Sequence, residues 1–119
     1  MRLHRDRRPA GWGTLEVGNL DHVLETAGQW DAVLLDSLTL WVSAREEDRA
    51  LPEFEGFLVG AQDLPVPFVL VSDEVGLGVV PESAVGRNFR DRLGLVNQQA
   101  AAAAEEVHLC FAGVGVRIK

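Results

Sequence analysis

An α/β fold with a mostly parallel sheet flanked by helices is predicted by three features of this 119-residue sequence. Short apolar runs at Phe68 to Ser72 and Val107 to Phe111 have the length of strands, and the run Asp31-Ala-Val-Leu-Leu-Asp36 fits a parallel strand buried on both faces. Segments with helical spacing separate them, giving the order β-α-β-α-α-β-α-β, which implies crossover connections and parallel pairing. Acidic residues stand where the first two runs end, Asp36 after one and Asp73-Glu74 after the other. In open α/β sheets that edge is where ligands bind.

Each element has a local reason. Thr14 to Val17 is a short strand candidate. Leu20, Val23, Leu24 and Ala27 repeat at helical spacing, with Asn19 as cap and Gly28 as stop. Ser37 to Arg45 follows the Asp31–Asp36 strand as a helix, and Glu46 to Arg49 is its charged exit. Pro52 precedes a second short helix over Phe54 to Gln62, and Pro65 and Pro67 bracket the entry to the next strand. After Pro81, Val85, Phe89, Leu93, Val96 and Ala100 recur every three or four residues, with Arg87, Arg90, Asp91 and Arg92 on other faces. The alanines from Ala100 to Ala104 extend this helix by intrinsic propensity, and Glu105 and Glu106 end it. Val107 to Phe111 is expected to be a third core strand and Val114 to Ile118 a closing edge strand. No internal repeat or linker divides residues 1–119, so a single domain is expected.

Composition excludes several classes. No apolar run is long enough to span a membrane, and no signal-peptide pattern opens the sequence. The net charge of −7 argues against general nucleic-acid binding, which needs clustered Lys and Arg to neutralise phosphates. The single cysteine, Cys110, cannot form an internal disulfide, which favours a reducing cytoplasm, and its apolar neighbours predict a buried strand thiol. Charge is unevenly placed: four arginines against Asp6 give the first eight residues +3 and leave −10 for the rest. A basic cluster in an acidic chain reads either as a local anion site or as a solvated terminus.

The most informative stretch is Ser72-Asp-Glu-Val-Gly-Leu-Gly-Val-Val-Pro-Glu82, followed by Gly86-Arg-Asn-Phe-Arg-Asp91 and Val96-Asn-Gln98. Gly76, Gly78 and Pro81 describe a loop that either turns tightly or lets something large approach its backbone; a plain strand-to-helix connection is the alternative.

Together with Arg2-Leu-His-Arg-Asp-Arg-Arg-Pro9, Trp12, Thr14-Leu-Glu16, Leu34-Leu-Asp-Ser-Leu-Thr39, Gly94, Ala112-Gly113 and Ile118-Lys119, that stretch resembles a known family. It is the bifunctional adenosylcobinamide kinase/adenosylcobinamide-phosphate guanylyltransferase family of cobalamin biosynthesis, and the resemblance runs through nearly the whole chain.

The resemblance implies a P-loop-NTPase-like α/β enzyme that phosphorylates adenosylcobinamide, with GTP or ATP as substrate, and then joins GMP from GTP to the resulting phosphate. It implies a histidine in the pattern H-x-x-x-R-P, here His4, that carries GMP as a phosphoramidate. An imidazole suits that role, being nucleophilic when neutral and a good leaving group once protonated. Family binding positions carry over to Arg5, Asp6, Arg7, Arg8, Glu16 and Asp36. The arginines supply positive charge to phosphoryl transfer. Glu16 and Asp36 suit a guanine edge, a ribose or a magnesium shell, or else are polar strand ends; Asp36 follows its strand as a Walker-B acid does. Mg2+ and a homo-oligomer, a trimer, are further implications.

Three departures from the family qualify these expectations, one of them a region from Ala44 to Leu64 that looks shortened relative to the family. The family's amino-terminal strand, its glycine-rich loop with Lys and Ser, and the helix after it have no counterpart, and no G-x-x-x-x-G-K-[ST] occurs in the 119 residues. An amino-terminally truncated version of the fold is therefore expected, with kinase activity unsupported and a non-catalytic nucleotide-binding or interaction domain as the alternative function. The family usually has Asn where this chain has Asp73, a charge that would disfavour a phosphate if it faced inward.

Overall fold

The computed structural model describes residues 6–16 and 18–119. In chain order its elements are α1 (Leu20–Ala27), β1 (Val33–Asp36), α2 (Leu38–Ser43), α3 (Ala50–Gln62), β2 (Phe68–Val71), a 3-10 turn (Val75–Leu77), α4 (Ala84–Ala103), β3 (His108–Phe111) and β4 (Val114–Arg117). No helix among the described residues is long and apolar enough to cross a membrane.

Helix starts are set by side chains that satisfy otherwise unpaired amides. Asn19 accepts from the Asp21 N–H at 2.9 Å, Ser37 from Leu40 at 3.3 Å and Ser83 from Gly86 at 3.0 Å. Helix α3 begins at Ala50, earlier than expected, because Pro52 occupies its first turn, where a missing N–H costs no intrahelical bond. Thr14 to Glu16 forms no strand, and Val17 lies outside the described residues.

Strands β1 and β2 pair in parallel, with Val33 opposite Phe68 and Asp36 opposite Val71. Their inward residues Val33, Leu35, Phe68 and Leu70 pack on the helical core. Their outward residues do not share that cover: Leu34 is 42% and Val69 55% exposed. The expectation that the Asp31–Asp36 strand is buried on both faces is thus corrected, since alternating burial marks a pair with helices packed on one face among the described residues. The core is an aromatic seam. Phe54 stacks on Phe57 at 5.9 Å, Trp41 meets Phe54 at 6.0 Å, and Phe57 meets Phe68 edge-on at 5.8 Å. Leu93 and Val96 of α4 complete it, whereas Val85, assigned by spacing to the same face, is 74% exposed.

The second correction concerns the last two strands. Among the described residues they form their own antiparallel hairpin, His108 opposite Arg117 and Phe111 opposite Val114, rather than a third core strand and an edge of one sheet. Ala112 and Gly113 both have positive φ, +49° and +77°, the geometry of a two-residue hairpin turn. Such a turn reverses the chain at once and so enforces antiparallel pairing. Cys110 is consequently exposed, not buried. Lys119 ties the hairpin to the end of α4 by donating to the carbonyls of Ala101 and Ala102 at 2.7 and 3.1 Å.

Two stability measurements follow from this packing. Phe54→Ala is expected to cost about 3–5 kcal/mol in urea unfolding, because the fully buried ring touches both aromatic neighbours. Ala112→Asn is expected to stabilise by up to about 1 kcal/mol, since Asn tolerates the left-handed conformation that alanine occupies at a cost.

Candidate functional site

The parallel register delivers Asp36 and Ser72-Asp73 to the same carboxyl edge, because Asp36 lies opposite Val71 and both chains leave the sheet there. Asp36 is exposed and takes part in no ion pair among the described residues. The next residues start α2, placing Thr39 in its first turn. The Thr39 hydroxyl donates to the Asp73 carboxylate at 2.7 Å and accepts from the Asp73 backbone N–H at 3.0 Å. From the other side, the Asn97 amide donates to the Asp73 carbonyl at 3.0 Å and accepts from the Ser72 hydroxyl at 2.5 Å. The charge that distinguishes Asp73 from the expected Asn is therefore directed at a hydroxyl of α2.

The loop beyond Asp73 is held by its own neighbours. Glu74 accepts from the Gly76 N–H at 2.9 Å, capping the 3-10 turn. Arg90 donates to the Gly76 carbonyl at 3.1 Å, and Arg87 donates to the carbonyls of Pro81 and Glu82 at 3.1 and 2.6 Å. The arginines of the Gly86–Asp91 motif thus fasten the loop to α4. Gly86 has a packing reason: a Cβ there would lie 2.8 Å from Pro81, so only glycine lets the loop close on the helix. Neither Gly76 nor Gly78 has positive φ, so neither is required for a left-handed turn. An open concavity of about 570 Å³ lies between loop and helix, lined by Glu74, Gly76, Arg90, Asp91, Gly94 and Leu95, with Gln98 at its rim.

The amino-terminal candidates that the structure describes make other contacts. His4 and Arg5 lie outside the described residues. Asp6, Arg7 and Glu16 are exposed; Arg8 is half-buried and donates to the Thr14 hydroxyl at 2.6 Å. Gly13 runs against Trp30, so closely that a Cβ would lie 2.5 Å from the indole ring. Further on, the Gly18 carbonyl accepts from the Trp41 indole N–H at 3.2 Å and from Arg45, whose guanidinium lies 5.4 Å over the Trp41 ring and 3.8 Å from Glu53. This segment is therefore fixed between Trp30, ahead of β1, and α2 beyond it. No hydrogen bond or ion pair among the described residues joins it to Asp36.

The arrangement offers an exposed carboxylate at a sheet edge, a rigidly held loop beside it and a separate arginine-bearing segment. No group of three His, Cys, Asp or Glu among the described residues is placed to hold a metal unaided. Asp36 alone fits the one- or two-carboxylate pattern of a magnesium ion bound mainly through phosphate oxygens. Sequence reasoning missed Thr39 and Asn97, although both lie in the quoted motifs. The only local signal was a hydroxyl residue in the helical turn after a strand-ending acid.

The chain has relatives among known proteins. A family model described as cobinamide kinase/cobinamide phosphate guanyltransferase matches residues 1–118. The bifunctional adenosylcobalamin biosynthesis protein CobU of Salmonella typhimurium is 38% identical over 135 residues, covering 98% of this chain and 75% of that protein. The protein of the same name from Escherichia coli is 37% identical with the same coverage. The bifunctional adenosylcobalamin biosynthesis protein CobP of Pseudomonas aeruginosa is 35% identical over 122 residues, covering 98% of this chain and 70% of that protein.

The contact at Gly13 gives a direct check on how the amino-terminal segment is seated. Gly13→Ala must displace the Trp30 ring, so the tryptophan emission of the folded protein is expected to shift and stability to fall by about 1–3 kcal/mol. The shift should vanish in a Trp30→Phe background.

Proposed function

The chain belongs to the cobinamide kinase/cobinamide phosphate guanyltransferase family, and from that premise we propose that it transfers GMP from GTP to adenosylcobinamide phosphate, the guanyltransferase reaction of that family. The observation that carries this is the family match over residues 1–118, which spans every candidate site residue and favours a catalytic over a purely structural role. Proteins named bifunctional in adenosylcobalamin biosynthesis at 35–38% identity support it.

The transfer proceeds in two displacements at one phosphorus. An imidazole nitrogen of His4 attacks the α-phosphorus of GTP, the bond to the bridging oxygen of the β-phosphate breaks, and pyrophosphate leaves. A phosphate oxygen of adenosylcobinamide phosphate then attacks the same phosphorus; the N–P bond breaks and the imidazole departs with a proton. Arg5, Arg7 and Arg8 offset the charge that collects on the phosphoryl oxygens, and the Thr14 bond holds Arg8 in place for this. Asp6, Glu16 and Asp36 accept hydrogen bonds from the nucleotide. Asp36 is also the residue that would hold Mg2+, an ion that supplies positive charge to bound phosphates. The cytoplasm, where nucleotide triphosphates are abundant, is the proposed setting, and a homo-oligomer, a trimer, the proposed assembly. A neighbouring copy would bring an arginine segment to the Asp36 edge, a step that no contact within one described chain makes.

Incubation with α-labelled GTP is expected to leave an acid-labile, base-stable GMP adduct on His4, because phosphoramidates hydrolyse in acid; an adduct persisting in His4→Ala would overturn the assignment. Asp36→Ala is expected to weaken GTP binding roughly ten- to a hundred-fold by titration calorimetry while leaving the melting temperature nearly unchanged, since the carboxylate stands outside the core. Light scattering on the purified chain is expected to give a trimer mass, and a monomer would remove the shared-site arrangement.

A further inference from the structure

Between the ends of β1 and β2 lies a polar cluster with a use the reaction scheme leaves open. Thr39 gives its one proton to the Asp73 carboxylate and uses a lone pair for the Asp73 N–H, so a single hydroxyl fixes both the side chain and the backbone of that residue. Asn97 fixes the same peptide from α4 through the Asp73 carbonyl, and the residue before it through the Ser72 hydroxyl. Three elements far apart in sequence thus meet at one residue: the contacts to Asp73 span 34 positions from Thr39 and 24 from Asn97. Two residues before Thr39 the chain is still the Ser37 cap of α2, and one residue earlier it is Asp36.

From this we propose that Thr39, Asp73 and Asn97 are positioning residues for the nucleotide: they clamp the exits of β1 and β2 to each other and to α4, and so fix where Asp36 and the Ser72–Gly78 loop face the ligand. The proposal rests on the assignment of Asp36 to nucleotide binding. The side chain at position 73 acts as a hydrogen-bond acceptor for Thr39, not as a charge on the ligand. An amide there keeps the acceptor, through its carbonyl oxygen, and keeps the backbone N–H, so the clamp tolerates Asn at 73 but not Ala. Ser tolerates the role of Thr39, and Val, which has the shape without the hydroxyl, does not.

Two measurements on the full chain test this, one of the clamp and one of its consequence. In hydrogen exchange, the Asp73 amide is expected to exchange roughly ten-fold faster in Thr39→Val and at the parent rate in Thr39→Ser, a factor corresponding to loss of one hydrogen bond. In GTP titrations, Thr39→Val and Asp73→Ala are expected to weaken binding roughly ten-fold, with Thr39→Ser and Asp73→Asn within about three-fold of the parent. Melting temperatures of all four should lie within a few degrees of the parent, which separates positioning from unfolding. Unchanged Asp73 exchange in Thr39→Val overturns the clamp. Parent-like GTP affinity in Thr39→Val and Asp73→Ala overturns its role toward the nucleotide. Asp73→Asn as damaging as Asp73→Ala shows that the charge itself meets the ligand and also overturns the proposal. If the parent chain binds no GTP, the assignment of Asp36 fails, while the exchange result still decides whether the clamp exists.

Discussion

The contact of Phe57 with Phe68, edge-on at 5.8 Å, is the constraint on which the other placements depend. It fixes α3 to the first residue of β2, and β2 is registered residue by residue against β1. The register in turn decides that Asp36 and Ser72 leave the sheet side by side. Phe54 and Trp41 continue the seam into α2, so the helix that carries Thr39 is seated by the same ring stack. Buried aromatic surface of this kind contributes far more than any exposed polar pair, and it sets distances to a fraction of an ångström because the interior is close-packed.

Upon this apolar frame, polar groups do a different task. Arg92 reaches from α4 to the carbonyls of Val42 and Arg45 at 3.4 and 3.1 Å, satisfying the open end of α2. Arg87 and Arg90 fasten the loop beyond β2, and Asn97 and Thr39 fasten the residue from which that loop departs. Helix α4 therefore carries a row of side chains whose partners are main-chain atoms of its neighbours. Charge on this helix is directed at backbone carbonyls. In the family to which the chain belongs, both reactions move charged phosphoryl groups, for which positioning and charge stabilisation dominate.

The hairpin contrasts with this frame. Phe111, Val114, Val116 and Ile118 are all more than half exposed, and the unit is joined to α4 through Lys119 at the helix end. Its shape follows from the turn at Ala112-Gly113, a local feature, and not from packing against the parallel pair. The radius of gyration of 15.0 Å exceeds the value of about 13.5 Å typical for a chain of this length.

The sequence by itself determined the helices and the cap at Asn19, the strand that ends in Asp36, and the membership of a family, because periodicity, capping chemistry and motif spacing are local properties that survive in one dimension. It also located the edge where the acids stand, since strand ends follow from where apolar runs stop. Tertiary structure alone decided that, among the described residues, only one face of the parallel pair is covered, that Cys110 and Phe111 lie at the surface, and that Val85 drops out of the core. An apolar run reports that burial is affordable and is silent about what arrives to cover it. Tertiary structure alone also joined Thr39 and Asn97 at Asp73. A hydroxyl 34 positions before a carboxylate and an amide 24 positions after it have no pattern between them until the aromatic seam brings their elements together.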